Sequence, residues 1–147
     1  MLSILNPTLH KTQRLLHLLD ITKDIKDKAL FIQENCVNNT YTIPIFPVLN
    51  LWGIWNNVIL FSTFSDYIFI KNLRTKHKKI FYIHDLNWNV DSINMDNTIH
   101  AIENSDVVFC RSESDLAKLK EFTDKDILLF SNKIFEESLY ELIKENS

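Results

Sequence analysis

The chain has 147 residues, 46% of them hydrophobic, 24% charged and 12% aromatic, which excludes a disordered tail, a collagen-like repeat and a mini-protein in need of disulfides. That length suits a single α/β domain over residues 1–147 and is too short for a second full one. With Gly53 as its one glycine and a net charge of −3, the chain can write neither the dinucleotide fingerprint nor the P-loop, both of which need several glycines for close backbone approach.

Read from the start, Asn6-Pro7 opens a leucine-rich segment (Leu9, Leu15, Leu16, Leu18, Leu19), with Asn6 as the expected cap and proline at the first helical position. Thr22 is expected to restart the helix, and Ile25, Ala29 and Ile32 keep one apolar face until the Asn38-Asn39 breaker. Residues 1–40 therefore read as mostly helical, with residues 2–5 open to being a short first strand.

From Tyr41 the period changes. Residues 41–48 are β-branched and aromatic but hold Pro44 and Pro47, so they read as an edge strand or an extended loop. Four apolar runs follow, at 58–61, 79–83, 107–110 and 127–130, of the kind buried on both faces in parallel sheets. Helix-compatible segments at 66–74, 96–104, 114–122 and 133–144 separate or follow them. Residues 41–147 thus form strand–helix repeats, and the expected fold is α/β: a doubly wound, mostly parallel sheet in a three-layer, Rossmann-like sandwich.

Cys36 and Cys110 are too few for a disulfide framework, and the start shows no signal-peptide pattern, so a reducing cytoplasm is the expected compartment. Prolines and asparagines interrupt the apolar stretches well before a membrane span's length, so no membrane span is expected. Charge is unevenly spread: residues 1–83 carry ten Lys/Arg against five acids, and residues 84–147 six against fourteen. Lys71, Arg74, Lys76, Lys78 and Lys79 form a basic strip that suits phosphate, and weakly nucleic acid, or is simply a solvated helix end.

Open parallel sheets bind ligands at the carboxyl ends of their strands, and the residues there are polar. Ser62 and Thr63 follow the first apolar run, His84, Asp85 and Trp88 the second, Arg111, Ser112 and Glu113 the third, and Ser131 and Asn132 the fourth. His84 or Asp85 is the candidate general base, although a satisfied buried histidine fits as well. Arg111 offers a fixed fork to phosphate or carboxylate, or else an ion pair to Asp85 or Glu113. Trp88 is either a stacking wall for a sugar or base, or core. The hydroxyls have a structural reading as helix caps: Ser65 or Asp66, Ser112 with Asp115 three residues on, and Ser131 or Asn132. Asp124-Lys125-Asp126 reads as a turn, and His10, His17, His77 and His100 do not pair at metal spacings, so no metal site is expected.

At residues 80–88 (IFYIHDLNW), 105–120 (SDVVFCRSESDLAKLK) and 129–132 (LFSN) the sequence resembles the N-terminal half of a GT-B-type glycosyltransferase. It is most similar to the short glycosyltransferase-like proteins of tailed-phage genomes. The matching motifs are His84 to Trp88, and Ser105-Asp106 through Arg111-Ser112, within residues 56–135. The resemblance implies a two-domain plan in which this half holds the acceptor and another holds the nucleotide sugar, with transfer in the cleft and no obligatory metal or other cofactor. The expected function is binding a sugar acceptor or nucleotide sugar, with His84 and Asp85 as catalytic candidates. Substrate contacts are expected from Ser62, Thr63, Trp88, Arg111, Ser112, Glu113 and Asn132. The alternative is a non-catalytic binding module of the same fold. Either reading expects a partner, a second copy or a separate donor domain, anchored by Trp52, Trp55 or Trp88.

Overall fold

The computed structural model describes residues 2–7, 12–33, 43–53, 58–71, 77–84, 86 and 92–145. The chain runs β1 (Leu2–Asn6), α1 (Gln13–Ile21), β2 (Lys28–Ile32), β3 (Ile45–Pro47), a short 3-10 helix (Val48–Gly53), β4 (Val58–Phe61) and α2 (Phe64–Ile70). It continues through β5 (Lys78–Ile83), α3 (Ser92–Glu103), β6 (Val107–Cys110), α4 (Glu113–Lys120), β7 (Leu128–Leu129) and α5 (Asn132–Glu145).

The fold is α/β, with a seven-stranded all-parallel sheet in the order β3-β2-β1-β4-β5-β6-β7. The chain winds outward from β1 to β3, then returns to β4 beside β1 and winds the other way. The connections run in opposite directions on the two sides of that point, which is the switch where open sheets leave a crevice at their carboxyl edge.

Alternation along the strands divides the core in two. Ile4, Leu30, Leu60, Ile80 and Tyr82 pack with Leu15 and Leu18 of α1 and Phe135 and Leu139 of α5. Leu5, Phe31, Phe61 and Phe81 pack on the other face with Tyr67 of α2, Ile102 of α3 and Leu119 of α4. Phe61 and Phe81, paired in register, stack with ring centroids 4.7 Å apart.

Residues 58–61 and 107–110 are strands at the expected bounds. The 79–83 run starts one residue earlier, and only Leu128 and Leu129 of the 127–130 run are strand, although Phe130 N still donates to Cys110 O at 2.8 Å. The 41–48 segment yields β3 at the edge of the sheet, paired only with β2, where the missing N–H of Pro47 costs no bond inside the sheet.

The N-terminal reading needs correction. Residues 2–6 are a central strand, in keeping with the short first strand left open at 2–5, so Asn6 ends β1 and does not open α1, which begins at Gln13. The cap of α1 is Thr12, whose Oγ1 accepts from Leu15 N at 3.1 Å. Thr22 does not restart a helix: its hydroxyl donates to Leu18 O at 2.7 Å and closes α1. Residues 28–32 are β2, not helix, and Ala29 through Ile32 are all buried. The 25/29/32 spacing fits a helix by coincidence, whereas four consecutive apolar residues are what a strand buried on both faces requires. Asn38-Asn39, Cys36 and Leu9 lie outside the described residues.

Candidate functional site

Each strand ends at the same edge, so the polar residues that follow them gather there. Ile83 and Cys110 are in register on β5 and β6, which sets the next residues, His84 and Arg111, side by side. Arg111 Nη1 donates a hydrogen bond to His84 Nε2. Arg111 is exposed and His84 partly so, which leaves the pair open to a ligand.

Two further residues join this pair, and neither follows a strand. His17 of α1 puts its Nε2 2.6 Å from the Tyr82 hydroxyl. Its ring also meets that of His84 edge-on at 5.7 Å and that of Phe130 at 5.5 Å. Burial, then the charge of Arg111, then His84 hold the His17 imidazole below its ordinary pKa of 6.5, against a smaller opposing pull from Asp20. Tyr82 is fully buried, and that burial pushes its ionisation up, so its hydroxyl stays protonated.

A second cluster lies at the switch point. Thr63, not Ser65 or Asp66, caps α2. Asp66 is fully buried, and its carboxylate accepts from Gln33 Nε2 at 2.8 Å and Thr63 Oγ1 at 2.8 Å. Burial pushes its pKa up to about 6, against the pull of these bonds and of Arg14. Because an ionised carboxylate only accepts, the protons of the cluster are ordered. Thr63 spends its hydrogen on Asp66, so Ser65 Oγ donates to Thr63 Oγ1 across 3.1 Å and accepts from Gln33 Nε2 at 3.1 Å. Both amide hydrogens of Gln33 are then used, and among the described residues Gln33 Oε1 and the remaining lone pair of Ser65 are left as acceptors. Ser62, beside this cluster, is 2% exposed, and its Oγ has no hydrogen-bond partner among the described residues.

The other expected site residues fall as follows. Ser112 caps α4, its Oγ accepting from Asp115 N at 3.2 Å. Glu113 is exposed in the first turn of α4. Ser131 caps α5 through Ile134 N at 3.2 Å, and Asn132 lines a groove with Asp20, Ile21, Lys23, Asp24 and Glu136. Asp85, Trp88 and Trp55 lie outside the described residues, as do Arg74 and Lys76 of the basic strip. Lys78 and Lys79 begin β5 at the opposite, amino edge, where Lys78 pairs with Asp106 at 3.9 Å and Glu145 at 3.7 Å. Asp106 is structural there: its Oδ2 accepts from Lys79 N at 2.8 Å and its own N–H donates to Lys79 O at 2.9 Å.

Compared with known proteins, the chain matches no family model, no curated protein and no solved structure.

His17 and Gln33 are functional candidates that sequence reasoning did not assign. His17 sits on a helix beside the buried Leu15 and Leu18, and only the fold brings it to Tyr82. Gln33 directly follows β2, so reading residues 28–32 as a strand would have exposed it as a strand-end residue. Among the described residues no group of three or more His, Cys, Asp or Glu side chains could hold a metal ion, and no helix is long and apolar enough to cross a membrane.

Proposed function

We propose that this chain is a glycosyltransferase-like half-domain, akin to the acceptor-holding N-terminal half of a two-domain GT-B-type enzyme and to its short phage relatives. It binds a sugar acceptor or nucleotide sugar at the carboxyl edge of the sheet. The observation that carries this reading is the joining of Arg111 and His84 at that edge. A guanidinium with its neighbouring imidazole is suited to a diphosphate, through charge-assisted bonds. The acceptor rim of Gln33 and Ser65 is suited to sugar hydroxyls, which donate. Ser65 follows β4 and Arg111 follows β6, two strand spacings or about 10 Å apart, a span that a sugar joined to a diphosphate covers.

In this reading the base that takes the acceptor's proton is Asp85, or His84 once Arg111 has turned from its Nε2 to the diphosphate. The edge itself is open, with Arg111 and Ser65 exposed. Transfer requires donor and acceptor held together away from water, so the domain acts once a second body closes over the edge.

Mapping amide shifts by NMR on adding each of a panel of nucleoside diphosphate sugars tests the proposal. Changes at Ser62, Thr63, His84, Arg111 and Ser112, with none at Lys78 or Asp106, support it. Changes confined to the amino edge, or none anywhere, refute it.

A further inference from the structure

His17 is a proton-handling group placed beside an anion-seeking one. Its Nε2 lies 2.6 Å from the protonated Tyr82 hydroxyl, which donates to the neutral ring when the ring's own proton is on Nδ1 and accepts from it when that proton is on Nε2. Among the described residues, the charged and titratable groups around it come from α1, β5 and the ends of β5 and β6. Arg111 lies beyond β6, His84 beyond β5, Tyr82 on β5 and Asp20 on α1 itself. On the α5 side the ring meets Phe130, which is apolar, while Glu136 lies with Asp20 along the adjoining groove. Among the described residues, the charge of Arg111 therefore opposes the imidazolium of His17 more than Asp20 favours it.

We propose that Arg111, His84 and His17 form a site for a tetrahedral oxyanion of the phosphate or sulfate class, and that filling it draws a proton onto His17. The inference rests on the carboxyl edge being the ligand face, as above, but needs only the anion and no sugar. An anion against Arg111 cancels the charge that disfavours the imidazolium and adds one that favours it. The proton comes from solvent and completes the imidazolium, whose Nε2–H then donates to the Tyr82 oxygen while the Tyr82 hydrogen turns away from the ring. Binding therefore strengthens as pH falls through the His17 transition, because the filled site binds more protons than the empty one.

Sulfate is the probe, since it carries two charges throughout the range and has no titration of its own near neutral pH. The imidazole signals of His17 are followed by NMR from about pH 5 to 8.5, in chloride and in sulfate at equal ionic strength. The expected result is a His17 midpoint below the ordinary histidine value in chloride that moves to higher pH in sulfate. Sulfate affinity should be about tenfold higher at the acid end, the change that a one-unit move produces. Arg111→Ala, an exposed position, should abolish the sulfate response and by itself raise the chloride midpoint. A His17 midpoint identical in the two salts overturns the proposal. A sulfate response without any nucleotide-sugar binding would defeat the glycosyltransferase reading and keep the anion site; nucleotide-sugar binding with an unmoved His17 would do the reverse.

Discussion

Arg111 and His84, 27 residues apart in the chain, are the first residues past two paired strands, and the guanidinium of one donates to the imidazole Nε2 of the other. That bond fixes the proton of the neutral His84 ring on Nδ1. A long-range ¹⁵N–¹H correlation spectrum at about pH 7.5 should show His84 with Nδ1 protonated and Nε2 bare. In Arg111→Ala the preference should relax. Equal tautomer populations in both proteins would mean that the pair does not hold in solution.

Ser112 stands next to Arg111 but spends its oxygen on the Asp115 N–H as the cap of α4. Ser112→Ala should therefore lower stability by about 1 kcal/mol, the ordinary cost of losing such a cap, and leave ligand affinity within a factor of two or so. Denaturant unfolding and calorimetry separate the two effects. A protein of unchanged stability with weakened binding would make Ser112 a ligand contact.

Buried Asp66 gives the fold its own pH dependence. Its folded pKa is raised from 3.8 to about 6, so the folded protein holds a proton that the unfolded chain releases. The resulting stabilisation is complete below the unfolded value and is lost as pH rises through about 6. The full swing amounts to about 3 kcal/mol at most. Subtracting the pH–stability curve of Asp66→Asn from that of the wild type isolates it. The difference should tilt toward acid between about pH 4 and 6; a flat difference would show that the carboxyl is solvated in the folded state.

How far the sequence could be read depended on whether a pattern had one structural solution or two. Val58–Phe61 and Val107–Cys110 are four consecutive apolar residues closed by serine or arginine, and only a doubly buried strand suits them, so their bounds were legible to the residue. Residues 28–32 carry the same run, but Ile25, Ala29 and Ile32 also satisfy a helical period, and the wrong solution hid both β2 and Gln33. Strand ends pointed to His84 and Arg111 because parallel topology alone brings them together. His17 obeys no such rule, since its partner Tyr82 lies 65 residues away and reaches it across the packing of α1 on β5.

The central claim is that the carboxyl edge, through Arg111, holds the charged part of a nucleotide sugar. Calorimetric titration of the wild type and Arg111→Ala with a panel of nucleoside diphosphate sugars tests it most directly. The account predicts saturable binding of at least one of them, weakened in the variant by about 1.5–3 kcal/mol, the worth of hydrogen bonds to a charged group. Equal affinity of the two proteins, or no binding of any nucleotide sugar by the wild type, would contradict it.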